Sequence, residues 1–205
     1  MTDNRKIILK NVRLQYPRLF KAEVNKLNPQ GKPAYSTKVV LTDDHPQLKE
    51  LKELCAAMAK QKFGEARAPK IMKEAKDSKN TRGLHYDEDQ HLVTFNAKRN
   101  ENRGRPLVFD RRLNEITQEG DGPQGGDWVN VAVAPYWYEN QSRGLSFELL
   151  SVQFVKKGEP FPGEGVSSSK DDFEALADDA EESKPLADDA EESKPLTEEQ
   201  LDALI

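Results

Sequence analysis

Three consecutive aromatics, Tyr136, Trp137 and Tyr138, together with a set of scattered cations, are the residues of this chain best suited to chemistry. Binding single-stranded nucleic acid needs aromatic faces on which bases stack, worth roughly 1–3 kcal/mol per base, and cations that track the phosphates. The cations at hand are Arg143, across a turn from the aromatics, and Lys98, Arg99, Arg103 and Arg105 on a second, basic hairpin. Arg13 and Lys38 fall opposite the apolar sets of their strands and belong on the surface. In a strand, alternation sends Tyr136 and Tyr138 one way and Trp137 the other. Trp137 shares parity with Val129, Val131 and Val133 and reads as core, which leaves the tyrosines as the stackers. A kink at Pro135 would exchange the two sides, so all three stay in the candidate set. Phe95 alternates with polar neighbours and reads as core.

Catalysis finds little support. His45, His85 and His91 have neither each other nor a cysteine at metal-ligand spacing. No phosphate-binding loop, dinucleotide fingerprint or nucleophile elbow is present. Asp87-Glu88-Asp89 could hold a divalent ion, but such acidic runs are usually solvated loops. The reading is a non-enzymatic protein with no metal and no cofactor. The lone Cys55 has no partner for an internal disulfide, which suits a reducing cytoplasm. No apolar run reaches the ~20 residues that span a bilayer.

The elements that position these residues are mainly strands. Residues 6–16 alternate, with Ile8, Val12, Leu14 and Tyr16 on one side and Asn11, Arg13 and Gln15 on the other. Tyr16-Pro17 is expected to end that strand, and residues 21–33 to form a loop. Residues 34–41 resume as a strand. A helix follows, capped by Asp43 or Asp44, carrying Leu48, Leu51, Leu54, Cys55 and Met58 at helical spacing and ended by Gly64. Residues 65–90 read as a mobile, lysine-rich insertion with a short helix near 71–75. Residues 91–98 and 106–110 are strands flanking the basic turn, and the GDGPQGGD run is a flexible loop. Residues 127–155 form a hairpin that breaks at the polar segment 139–144. In its second strand Leu145, Phe147 and Leu149 share one face, whereas Leu150, Val152 and Phe154 share the other. That change of sides predicts a bulge at Leu149-Leu150. About five to six strands with one added helix make a small closed or partly open barrel of the oligonucleotide-binding (OB) type.

The tail is another object. Residues 171–205 hold 14 Asp/Glu and two Lys, a net charge of −12, while residues 1–170 carry 29 Lys/Arg and 22 Asp/Glu, a net charge of +7. The decapeptide LADDAEESKP occurs twice in succession, at 176–185 and 186–195. The division is a barrel domain over residues 1–163 and a disordered acidic tail over 164–205. The final LTEEQLDALI matches a capping box, with Leu201, Leu204 and Ile205 on one helical face, and reads as a partner-docking motif.

Several blocks carry a resemblance: VRLQYPRLF, AYSTKVVLTDD, VTFNAKRNENRGRPLVFD and WVNVAVAPYWYENQSRGLSFELLSVQFVKKGEPF, in that order over residues 8–161. The chain resembles the small single-stranded-DNA-binding proteins of tailed bacteriophages. That resemblance implies an OB barrel coating single-stranded DNA in phage replication or recombination, in the cytoplasm of a bacterial host. It points to the blocks holding Asn96 and Lys98 and the aromatic triplet for DNA contact. It also implies replication or recombination proteins as partners of the tail, and self-association along the strand. The family's relatives among replication proteins often end in Phe, and this chain ends Leu204-Ile205. The rival reading is a protein-interaction adaptor whose tail helix carries the function.

Overall fold

The computed structural model describes residues 5–25, 29–77, 83–139 and 143–161. The duplicated decapeptide and the terminal motif with Leu201, Leu204 and Ile205 lie outside the described residues, as does the centre of the turn after Glu139. Contacts divide the chain into Met1–Gly165 and Val166–Ile205; the fold is that of the first unit.

Its first strand, β1 (Ile7–Glu23), runs past Tyr16-Pro17, where the sequence suggests a stop. Proline ends a strand only where its missing N–H is needed. Here the register against β2 (Ala34–Thr42) slips between Gln15↔Lys38 and Arg18↔Ser36, so Tyr16-Pro17 lies in a bulge. Tyr16 takes φ 51° and turns out to solvent. A second bulge falls between Leu9↔Val131 and Val12↔Val129, where β1 pairs with β6 (Trp128–Glu139) and Asn11 takes φ 53°. This bulge exchanges the faces of β1. Ile7 and Leu9 point inward before it and Val12 and Leu14 after it, so Ile8, assigned to the core by simple alternation, is half exposed.

Five strands form a ring. β1 pairs with β2, and β2 with β4 (Leu92–Asn100). β4 then meets β7 (Arg143–Lys156) in parallel, β7 pairs with β6, and β6 returns to β1. Two three-residue strands extend the edges: β3 (His85–Asp87) on β4 and β5 (Leu107–Phe109) on β7. The architecture is the OB-type barrel expected, with seven strands among the described residues where five to six were predicted. The added helix is joined by a second one over the short helix expected near 71–75. The predicted bulge in β7 is there: Ala132 pairs with Ser151 and Val133 with Leu149, leaving Leu150 as the extra residue. Phe147 and Leu149 fill the barrel on one side of it and Val152 on the other. Inside, Phe95 and Phe147 pack with ring centroids 4.2 Å apart.

Helix α1 (Leu48–Phe63) buries Leu48, Leu51, Cys55, Ala59 and Phe63, a stripe at helical spacing. Its N-terminus departs from expectation. Gln47, not Asp43 or Asp44, holds the cap position, and its side chain serves β1 instead. The Gln47 Oε1 accepts from the Lys10 N–H and its Nε2 donates to the Ile8 carbonyl, each at 2.8 Å. Asp43 pairs with His91 at 3.0 Å. The stretch read as a mobile insertion holds α2 (Ala68–Asp77), whose Ala68 and Ile71 are in the core. Met72 and Ala75 pack against the core beside them, so the short helix expected near 71–75 is present, longer and anchored. Among the described residues no helix is long and apolar enough to cross a membrane.

Trp137 pins α1 to β6. Its indole N–H donates to the Cys55 carbonyl at 2.9 Å, and Phe63 meets its ring edge-on at a centroid distance of 6.0 Å. Burial pushes the neighbouring Cys55 thiol up to about 12. Two outcomes follow. Trp137→Ala should cost about 3–5 kcal/mol of unfolding free energy in denaturant melts. The Cys55 thiol, protonated at neutral pH and enclosed, should resist a disulfide reagent such as DTNB in the native protein and react fully on unfolding.

Candidate nucleic-acid interface

Alternation fixes what the barrel shows outside. On β2 and β4, Thr37, Val39, Leu41, Val93, Phe95 and Ala97 are buried, so the residues between them face outward. Register then sets Lys38 directly opposite Asn96, Ser36 opposite Lys98 and Val40 opposite Thr94. Val40 is nonetheless covered, and β1 continues this face with Gln15 beside Lys38 and Arg13 beside Val40. The structure thus brings together three of the sequence-predicted residues, Lys38, Asn96 and Lys98. Among the described residues, no carboxylate lies within ion-pair distance of Lys38.

Other candidates have internal duties. Arg13, predicted to be exposed, is half-buried because its guanidinium ties three segments together. Nε donates to the Gly126 carbonyl at 2.9 Å, Nη2 donates to the Glu159 carbonyl, and the Phe161 ring lies 4.1 Å from Cζ. Arg99 and Arg103 both bind Glu148, at 3.1 and 2.7 Å, and Arg99 also donates to the Arg103 and Gly104 carbonyls. Arg105 pairs with Glu115 at 2.7 Å and lies over Phe20. Arg143 pairs with Glu139 at 2.7 Å. A cation already neutralised by a carboxylate releases less counterion when a phosphate arrives, so these four arginines are weak candidates for contact as they stand.

The aromatic triplet splits as alternation demands. Tyr136 is exposed and Tyr138 partly so, whereas Trp137 is buried under α1 and cannot receive a base. The tyrosines stand near the β6–β7 turn, and the barrel seam brings that end of β6 within two strands of β4, since Glu148 pairs with both Lys98 and Ala134. Eight residues of strand, about 26 Å, separate Tyr136 from Trp128 at the other end of β6.

Sequence reasoning passed over that other end. A row of register partners crosses six strands, His85, Thr94, Val40, Arg13, Trp128 and Lys156, in which Val40 is covered and the exposed end is at Lys156. Trp128 had a legible signal, since it takes the parity opposite Val129 and Val131. The glycine-rich run before it is built into the domain, not a flexible loop. Gly126 takes φ 89° and lies so close to the Glu159 backbone that no Cβ would fit. The buried Asp127 carboxylate accepts from the Gln124 and Gly158 N–H groups at 2.9 and 3.1 Å and pairs with Lys157 at 3.3 Å. Beyond β5, the Asn114 amide and neighbouring backbone N–H groups hold the Asp110 carboxyl below its usual range and shape a tight turn bearing exposed Arg111 and Arg112. Among the described residues, no three His, Cys, Asp or Glu could hold a metal ion.

With this geometry in view, the comparisons are specific. A family model described as "Enterobacter phage Enc34, ssDNA-binding protein" matches residues 5–184. Protein p50 of Acyrthosiphon pisum secondary endosymbiont phage 1 is 32% identical over 170 residues, which cover 80% of this chain and 90% of that protein. The solved single-stranded DNA-binding protein from bacteriophage Enc34 aligns with a TM-score of 0.62 at 24% identity, over 84% of this chain and 92% of that one. The same protein in complex with ssDNA aligns with a TM-score of 0.62 at 22% identity, over 78% and 90%. A single-stranded DNA binding protein encoded by bacteriophage T7 gives 0.51 at 15% identity, over 80% and 98%. At these identities the structures establish the shared barrel.

The Glu148 cluster yields a direct test. Its carboxylate is largely enclosed and counts on both arginines. Replacing Arg99 and Arg103 together by Ala should lower stability by about 2 kcal/mol, between the values for exposed and buried pairs. Chemical denaturation of the two proteins measures the difference.

Proposed function

The chain belongs to the family of the Enterobacter phage Enc34 ssDNA-binding protein, a family of binding proteins and not of enzymes, and from that premise we propose that it coats single-stranded DNA without sequence preference. The observation that carries this reading is the outer face of β2 and β4, where Lys38 and Asn96 stand opposite each other with Lys98 in the next row. In five-stranded barrels of this type the second and third ring strands, with the loops beside them, are where oligonucleotides bind. Here those strands are β2 and β4. Lysines meet phosphates, which carry no sequence information, so such a face holds any strand. A protein of the same fold has been solved in complex with ssDNA, which supports single-stranded DNA as the ligand.

The finer reading extends from there. The protein acts on DNA in phage replication or recombination, in the cytoplasm of the host. Tyr136 and Tyr138 supply stacking near the β6–β7 turn. The acidic segment 164–205 competes with DNA for the basic barrel and recruits replication or recombination proteins through Leu201, Leu204 and Ile205. Successive copies associate along the strand.

Anisotropy titrations of labelled oligo-dT across a salt series test the assignment. The logarithm of the affinity should fall with the logarithm of salt concentration by about 0.7 per phosphate neutralised. Lys38→Ala with Lys98→Ala should make that slope shallower by about 1.4 at unchanged fold. An unchanged slope would remove the β2–β4 face from the interface. A chain ending at Ser167 should bind DNA at least as tightly at low salt; weaker binding would overturn the tail's role as competitor.

A further inference from the structure

The row that ends at Lys156 contains a layered stack of rings and cations. The Arg13 Cζ lies 4.1 Å from the Phe161 ring centre and 5.7 Å from that of Trp128, and the Lys156 Nζ lies 5.2 Å from the Trp128 ring. Arg13 comes from β1 and Lys156 from β7, the strands on either side of β6, so the indole is flanked from both neighbours.

The two flanks differ in stiffness. Arg13 is fixed by the Gly126 and Glu159 carbonyls. Those residues are themselves fixed: the Gly126 N–H donates to the Leu14 carbonyl at 2.8 Å, and the Gly158 N–H to the Asp127 carboxylate at 3.1 Å. Gly158 also lies against the edge of the indole, where a Cβ would come within 3.2 Å of Cδ1. On the other flank stands Lys156, an exposed ammonium on a flexible stem, whose contact with the partly buried ring leaves its charge in water and is a weak one. A partly buried tryptophan held rigidly on one side and covered on the other by a movable cation has the form of a stacking platform with a placeholder.

We propose that Trp128 is a base-stacking residue of this barrel, with Arg13 holding the indole in place. Lys156 leaves the ring as the base arrives and turns to a phosphate of the same strand. This inference rests on the single-stranded-DNA reading and adds to it a base contact that Tyr136 and Tyr138 do not supply. The platform is near the proposed phosphate face. Trp128 is two strands across from Lys38 and one row along, roughly 12 Å away. A short stretch of DNA crossing β2 and β1 would serve both.

The test exploits the two tryptophans, of which only Trp128 can meet solvent. Titration with oligo-dT should quench Trp137→Phe by the same absolute amount as wild type and leave Trp128→Phe nearly unquenched. Trp128→Leu should bind oligo-dT about 5- to 150-fold more weakly, the effect of losing one stacked base. Its affinity for an abasic chain of equal length should not change, which separates stacking from phosphate attraction and from damage to the fold. Wild-type quenching in Trp128→Phe, or wild-type dT affinity in Trp128→Leu, overturns the proposal. A weaker grip on the abasic chain by the same factor also overturns it, because the loss would then be structural. Absence of any dT binding by the wild-type protein at low salt would instead sink the single-stranded-DNA reading itself.

Discussion

A five-stranded sheet buries its inner face only if its ends meet, and in this barrel they meet through two residue pairs, Ala97↔Phe147 and Lys98↔Glu148. So short a seam is held from both sides. Inside, Phe95 and Phe147 pack on each other; outside, Glu148 gathers Arg99 and Arg103. The same closure forces β1 to serve two neighbours and β7 three on a curved surface. Both strands do so by adding residues, β1 near Asn11 and Tyr16 and β7 at Leu150. Each bulge reverses which residues face the core. The outward set, and with it the candidate interface, is therefore a product of closure.

Closure also divides the cations by type. Arg13, Arg99, Arg103, Arg105 and Arg143 all donate to carboxylates or carbonyls of the domain itself. The planar fork of arginine suits such fixed, multiple contacts, whereas lysine is a mobile point charge. Lys38, Lys98 and Lys156 stand on the outer face. The net charge of the barrel segment thus overstates how many of its arginines a polyanion would meet unengaged. Much of the arginine charge organises loops.

How far the sequence disclosed this depended on whether apolar residues marked both sides of a change. In β7 they did: Phe147 and Leu149 on one parity and Val152 on the other made the bulge at Leu150 readable. In β1 they did not, because Ile7, Ile8 and Leu9 are all apolar and fit either parity, so the bulge at Asn11 was invisible and Ile8 was misplaced. Pro17 looked like a stop because a missing N–H is harmful inside a ladder, and a bulge removes that harm. The helix of residues 68–77 was legible only as a short helix near 71–75, because its charges hid its first turn and its anchoring in the core. The lysines of β2 and β4 were legible because the inward residues beside them are unambiguous. The partners of the arginines were not, since Glu148 is 45 residues from Arg103 and only closure brings them together.

Trp128 shows why the site reading had to wait for the fold. Its parity already placed it outside, yet exposure alone separates no binding residue from an incidental one. What distinguishes it is the rigidity of one flank, built from residues far apart in the chain: Arg13, Gly126, Asp127, Gly158 and Glu159. Tyr136 has exposure without such a frame, beside the β6–β7 turn. A ring that is already held loses little freedom when a base settles on it, whereas a looser one must be ordered in the act of binding. On the proposal that Trp128 stacks on a base, preorganisation therefore favours that end of β6 over the tyrosine end. It is the short strand-to-strand ties around Asp127, more than the number of aromatics, that make one end of the barrel ready.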